Sequence, residues 1–459
     1  MRAKGARAAI RALGMGACVA AMGGAVGTSL LNDTGWFPDW LDVRGEQRTR
    51  YEWLDRQFRS GRLGGDQALA LRTSLVADAR LEAVGLVLEG MDSRQYLSDE
   101  GSPVDTTMVD TLELLQAHAR WDAGRLVPGG TSTVRVGRET LDLGNRRLVA
   151  RNAYRNTINS FLGLDWLWEG DGGGFVRGIW MLPVKRLPGD AERLLDNEPG
   201  WNTQSWDLQL QGIYTEVPMR VTGLRLEAYW LRLQEESAPD TRRRRLHTPG
   251  LRLYRKPSED SWDMEVEAAV QFGTSREGVG RAGVDLGHFA YLVHAGAGWS
   301  WGTAGKPRVG VRFDEASGDG DPGDGKNGRF DTLYGARRFE FGPTGIYGAV
   351  ARANLRSPEV FGSIKPARGW EAGLGWRWVW LAEARDAWTP GNVRDPRGLS
   401  GTEVGEQLEL RVRWDALPRN VRVEGGWARL FAGDFLRRAP NSTLEGDVNH
   451  AYMEVMVGF

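Results

Sequence analysis

The chain reads as an all-β protein, a transmembrane antiparallel up-and-down β-barrel of about 18 strands (16 is the alternative) with long external loops. Three observations predict it. The last ten residues alternate: Ala451, Met453, Val455, Val457 and a terminal Phe459 on one parity, His450, Tyr452, Glu454, Met456 and Gly458 on the other. Side chains in a strand alternate sides, so this segment carries one apolar and one mostly polar face, and an aromatic last residue is typical of outer-membrane barrels. Similar period-two segments recur through the chain and often exceed ten residues, against about 5–6 in globular sheets. The N-terminus has the form of a secretory signal.

Residues 1–27 are expected to be a signal peptide. Arg2, Lys4, Arg7 and Arg11 form a basic head, residues 12–27 are small and weakly apolar, and Ala25 and Gly27 supply a small-x-small cleavage site. Removing them moves the formal charge from -1 to -5. The only cysteine, Cys18, lies in this segment, so the mature chain has no thiol for disulfides or metal. A lipoprotein reading of Met15-Gly16-Ala17-Cys18 fits poorly three residues before the cysteine. Residues 28–459 are expected to form a single barrel domain, with 28–45 as a lead-in.

From about residue 46 the strands can be read face by face. Trp262, Met264, Val266, Ala268, Val270 and Phe272 oppose Asp263, Glu265, Glu267 and Gln271. Ala372, Leu374, Trp376, Trp378 and Trp380 oppose Glu371, Gly373, Gly375 and Arg377. Leu408, Leu410, Val412 and Trp414 oppose Gln407, Glu409, Arg411, Arg413 and Asp415. Val309, Val311 and Phe313 oppose Arg308, Arg312 and Asp314, and Val421, Val423 and Trp427 oppose Arg422 and Glu424. A soluble sandwich also alternates, but strand length, signal and terminal Phe favour the barrel. An arginine on the lipid face at the bilayer midplane costs about 2–4 kcal/mol, so the arginines of these strands are expected to face a wet lumen. Long loops rich in Asp, Gly, Pro, Ser and Arg are expected near 92–108, 186–205, 235–247, 314–345 and 388–404.

Composition alone would suggest a soluble protein: mean hydropathy is -0.42 with 26% charged residues. Only alternate residues of a barrel face lipid, so this excludes nothing, while 20 Trp and 62 Gly suit aromatic girdles and tight turns. Catalysis finds little support. His118, His247, His288, His294 and His450 are scattered, and neither a Gly-x-Ser-x-Gly elbow nor a phosphate-cradling loop occurs.

Residues 134–163 contain Gly137-Arg138-Glu139, then Gly144-Asn145-Arg146-Arg147-Leu148-Val149 and a run rich in Arg and Asn. This resembles the alginate export family of outer-membrane barrels. Gly45-Glu46-Gln47-Arg48-Thr49-Arg50-Tyr51-Glu52 is similar to the family's first strand, and Ser317 to Lys326, followed by Phe330-Asp331 and Leu333-Tyr334, to its acidic loop. Gly433-Asp434-Phe435-Leu436 and the last strand match its ending, so the likeness covers nearly the whole mature chain. Glu139 stands where the family usually has Gln, and Leu162 where an Asp is common; both bear on solute choice rather than fold. The resemblance implies an electropositive, arginine-lined constriction passing an exported polyuronate, with periplasmic secretion partners.

The residues fit a channel for anionic solutes. The chain has 53 arginines and six lysines, and arginine's planar fork suits carboxylates. Arg48, Arg50, Arg135, Arg138, Arg146, Arg151, Arg155, Arg411, Arg413 and Arg422 are the candidate pore-lining set. The structural alternative is that they pair with Asp and Glu on neighbouring strands, at about 0.2–1 kcal/mol each. Strict alternation from Val134 would put Arg138 on the lipid face unless the strand bulges or ends near Gly137. Asp319, Asp321 and Asp324 invite a calcium reading, set against a solvated turn, since EF-hand spacing is missing. The expected function is passive passage of anionic oligo- or polysaccharide, most concretely alginate export; a general or nutrient-uptake porin for small anions is the alternative. The expected setting is a monomer in the outer membrane of a Gram-negative-type bacterium, against lipid and lipopolysaccharide, with no nucleic-acid partner and no cofactor.

Overall fold

The computed structural model describes residues 30–238, 241–276, 278–280 and 282–459; the expected signal segment and Cys18 lie outside them. A short helix, α1 (Leu30–Asp33), precedes the strands. In chain order these are β1 (Leu41–Leu54), β2 (Asp66–Leu81), β3 (Val84–Tyr96), β4 (Asp110–Gly124), β5 (Gly130–Glu139), β6 (Phe161–Gly170), β7 (Phe175–Pro183), β8 (Leu208–Met219), β9 (Leu224–Glu235) and β10 (Arg245–Arg255). They continue with β11 (Ser261–Arg276), β12 (Asp285–Ser300), β13 (Arg308–Ala316), the two-residue β14 (Lys326–Asn327), β15 (Leu355–Ile364), β16 (Trp370–Trp380), β17 (Glu403–Leu417), β18 (Val421–Ala432) and β19 (Val448–Gly458).

Each wall strand pairs antiparallel with its chain neighbours. β14 lies in a loop, parallel to β12, while β13 pairs directly with β15, so the wall has 18 strands. β1 and β19 close it from Glu46–Gly458 to Leu54–His450. Gly45 and Phe459 then exchange both backbone hydrogen bonds, at 2.8 and 3.0 Å. Closure leaves no unpaired edge, which hydrocarbon requires. β1 starts at Leu41, earlier than the expected lead-in boundary, because Leu41 to Gly45 pair with Ala79 to Leu75 of β2.

The faces follow the sequence parity. On β11, Trp262, Val266, Val270 and Phe272 are exposed to the outside while Asp263, Glu267 and Gln271 are buried inside. On β17, Leu410, Val412 and Trp414 face out, and Arg411 and Arg413 face the lumen. Trp370 stacks on Trp414 at 5.2 Å and Trp262 meets Trp299 at 5.2 Å, pairs suited to a membrane interface. No described helix is long and apolar enough to cross a membrane; the strands do the crossing.

The two ends differ. Turns such as 82–83, 171–174, 365–369 and 418–420 lie at the end that holds the first residue of β1 and the last of β19. The other end carries the long connections, among them 140–160, 184–207, 317–354, 381–402 and 433–447. In barrels of this kind short turns are periplasmic and long loops external. All five expected loops fall on connections at this end, 92–108 on 97–109 and 235–247 on 236–244; 140–160 and 433–447 were not among them. The largest buried apolar cluster lies inside the barrel: Leu141, Leu148, Phe341, Ile346 and Tyr347 from the loops pack with wall residues such as Leu210 and Tyr229.

Candidate functional site

A loop that enters a lumen must satisfy its backbone carbonyls without a ladder. Loop 140–160 does this with arginines from the wall. Arg48 donates to the carbonyls of Ala153 (3.0 Å), Tyr154 (2.9 Å) and Arg155 (3.0 Å) and to Asn156 Oδ1 (3.0 Å). Arg72 donates to Ala153 O at 2.7 Å and Arg155 O at 3.0 Å, and Arg50 to Tyr154 O at 2.8 Å. The Asn156 side-chain amide donates to the carbonyls of Leu71, Arg94 and Met108. A guanidinium offers five donors in a fixed fork, so one arginine can hold several carbonyls at once.

Loop 317–354 crosses from the opposite wall and carries the short helix α2 (Arg338–Phe341). Arg338 donates to Tyr452 Oη at 2.8 Å and pairs with Glu409 and Glu424. Glu340 receives Arg147 and Arg352. Ile346 N donates to Glu52 (3.2 Å), and Tyr347 Oη to Gln407 (2.9 Å). The two loops are joined by Tyr334 N to Leu148 O (2.9 Å), Ala150 N to Tyr334 O (3.1 Å) and Ala336 N to Arg146 O (2.8 Å). Together they form a partition across the barrel.

Cavities remain on both sides of it. The largest, about 740 Å³, lies toward the short turns and is lined by eleven arginines against seven carboxylates. Beside it is one of about 290 Å³, and Arg146, Phe339, Arg338 and Arg411 border both. Arg146 sits over the Phe339 ring at 5.0 Å. Toward the long loops a third cavity of about 250 Å³ is lined by Arg59, Arg155 and Arg337, with Asp105 as its one acid. Successive residues divide between the sides: Tyr154 and Arg338 face the large cavity, Arg155 and Arg337 the outer one.

Most of the sequence-selected arginines are paired. Arg135 bonds Asp165 at 2.6 Å, Arg151 bonds Glu89 and Thr140, Arg411 and Arg413 both bond Glu371 at 3.0 and 2.7 Å, and Arg422 bonds Asp415 at 2.7 Å. Arg48 and Arg50 are 1% exposed, beside Glu454 and Glu52 and beneath the loop they anchor. Arg138 follows Gly137 at φ 130° and turns inward to Glu113 and Ser160, which resolves its parity. Arg155 stands apart. It donates to Asn159 Oδ1 at 3.1 Å, and among the described residues no carboxylate comes within 4.0 Å of it.

Sequence reading missed Arg59 and Arg337, which share the outer cavity with Arg155 and likewise lack an ion pair among the described residues. Arg59 donates to the carbonyls of Ile346 and Tyr347, and Arg337 to that of Val350. Burial pushes Arg155 down to about 9, with Arg186 and Arg337 acting the same way; burial and Arg352 push Arg337 down to about 10. The hydroxyl oxygens of Thr344 and Thr389, also lining this cavity, have no hydrogen-bond partner among the described residues. These residues lie far apart in sequence on loops without periodicity.

The calcium reading of the acidic loop is not supported by its geometry. Asp321 Oδ1 accepts from Gly323 N and Asp324 Oδ1 from Lys326 N, both local turns, while Asp319 N bonds Asp386. Among the described residues His294, Asp314 and Glu340 form the one cluster with metal-ligand proximity. Arg147, Arg352 and Arg377 already pair with its carboxylates, and that much positive charge disfavours a cation. In the run Arg242-Arg243-Arg244-Arg245 that leads into β10, Arg243 pairs with Asp285, Arg244 with Glu235 and Asp331, and Arg245 with Glu236.

Comparison with known proteins agrees with this architecture. The family described as "Alginate export" matches residues 39–448. No curated protein matches the sequence. Among solved structures, Pseudomonas aeruginosa OpdK with vanillate is similar with a TM-score of 0.55 at 13% identity, covering 91% of this chain and 98% of that one. A BenF-like porin from Pseudomonas fluorescens Pf-5 gives 0.56 at 14% identity, covering 91% and 99%, and Pseudomonas aeruginosa OccK9 (OpdG) gives 0.57 at 14%, covering 91% and 98%.

Proposed function

This chain belongs to the alginate export family, a channel of the Gram-negative outer membrane rather than an enzyme, and from that membership we propose that it passes a polyuronate outward, with arginines selecting carboxylates. Arg155 and Arg337 carry the reading: they face the outer cavity with no carboxylate partner among the described residues, and Arg59 joins them. In such a site a carboxylate about 4 Å away gains roughly 1 kcal/mol in bulk water and several at lower effective dielectric. The paired arginines of the large cavity are weaker sites. Alternation of weak and stronger sites lets an anion enter and leave. Periplasmic secretion partners belong to the same proposal.

A second reading is an uptake porin for small anionic solutes. It is favoured by the size of the cavities, about 740, 290 and 250 Å³, which suits monomers better than a polymer. One of the similar structures was solved with vanillate, a small carboxylate. The test is bilayer conductance and reversal potential, with and without added oligouronate, for the wild type and Arg155→Ser/Arg337→Ser. Anion preference and oligouronate block, both reduced in the double variant, are expected. Cation preference without block would overturn the arginine-selected channel. Block by the monomer alone would favour uptake.

A further inference from the structure

At the short-turn rim the connection 301–307 lies beside the connection 365–369, tied by Lys365 N to Gly305 O at 2.6 Å. Asp415 N bonds Gly369 O at 2.8 Å, which fixes β17 to the same edge. Between them runs an open groove of about 620 Å³ lined by Lys306, Lys365, Arg368 and Arg413, with Glu371 and Asp415 as its acids. Those acids are already engaged, Glu371 with Arg411 and Arg413 and Asp415 with Arg422. Lys306 holds Glu259 at 2.6 Å, but both side chains are more than half exposed, and such a pair is worth little. Among the described residues no carboxylate comes within 4.0 Å of Lys365 or Arg368.

The open charge of the groove is therefore positive. It is unusual in being lysine-based: two of the chain's six lysines meet here. The groove leads inward, since Arg413 also borders the 740 Å³ cavity and Glu371 the 290 Å³ one.

We propose that this rim groove is a landing site for an acidic polysaccharide chain at the periplasmic mouth, which takes the chain in off the barrel axis and passes it to Arg413 and Arg411. The proposal rests on the export reading above. Lysine suits the role: a hydrated point charge on a flexible stem holds a sliding polyanion without fixing one geometry, whereas the neighbouring Arg411 and Arg413 share Glu371. The benefit is kinetic, because a basic patch at a mouth raises the rate of anion capture from that side.

The test is single-channel block of the full mature chain by oligouronate added separately to each side, comparing wild type with Lys365→Glu/Arg368→Glu. The expected result is at least about a tenfold lower association rate from the short-turn side, with the rate from the long-loop side unchanged. An equal loss from both sides, or none, would overturn the groove. If the effect vanishes in bilayers without anionic lipid, the groove holds a lipid phosphate and the proposal is likewise overturned. If oligouronate does not block the wild type at all, the export reading fails; oligo-aspartate then tests the groove by the same side-dependent comparison.

Discussion

Glu340→Gln should loosen the partition. The Arg352 side chain is fully buried, and Glu340 is its one carboxylate among the described residues; its other partners are the carbonyls of Ala336 (2.6 Å) and Arg147 (3.5 Å). Arg147 keeps Glu265 and Glu267 when Glu340 is neutralised, but Arg352 becomes a buried cation without a counter-charge. Removing one partner of a buried pair costs about 3–5 kcal/mol. At about 1.4 kcal/mol per tenfold, the ratio of docked to undocked loop falls roughly a hundred- to few-thousand-fold. Single-channel recording should then show excursions to larger conductance, and loop 317–354 should become open to protease. Glu340→Gln/Arg352→Met, which removes both charges, should restore much of the wild-type behaviour. A single variant with unchanged conductance and protease resistance would refute the assignment of this pair as the loop's clasp.

Arg411→Ser/Arg413→Ser should weaken anion preference, since both arginines border the large cavity; unchanged reversal potential with a lower melting temperature would make them wall braces for Glu371 only. Burial alone would raise the Glu340 carboxyl, but Arg147 and Arg352 outweigh it and hold the group well below its ordinary value of 4.5. A depressed carboxylate contributes stability above its unfolded value and loses it only as pH falls through the folded one, so conductance should stay constant from about pH 8 to about pH 5. Opening across that window would contradict the clasp. Gly45→Val should displace the Phe459 ring, which lies where the new side chain would sit; about 1–3 kcal/mol of overpacking should lower the unfolding midpoint in detergent, and an unchanged midpoint would deny that the last residue helps close the barrel.

The wall was legible because hydrocarbon enforces a strict rule. Leu410 and Val412 can meet lipid while Arg411 and Arg413 cannot, so alternation alone assigns each face of β17 and fixes its register. Strand number followed from counting such segments. Where pairing rather than patterning sets a boundary, the sequence was silent: Leu41 to Gly45 extend β1 because β2 and Phe459 are there to receive them.

The lumen could not be read in this way. The aperiodic run from Asn145 to Ser160 carries visible Arg and Asn residues, but nothing in it says that Arg48 and Arg72 will take its carbonyls. The same residue type serves three ends here. Arg48 anchors a loop, Arg411 shares Glu371 with Arg413, and Arg155 faces a cavity with no carboxylate within 4.0 Å of it among the described residues. Sequence by itself determined which side of the sheet is wet, because solvent acts on each residue separately. Only the tertiary structure decided which arginines are spent and which are open, because that depends on acids and carbonyls brought in from other segments, Glu371 for Arg411 and the Ala153 carbonyl for Arg48.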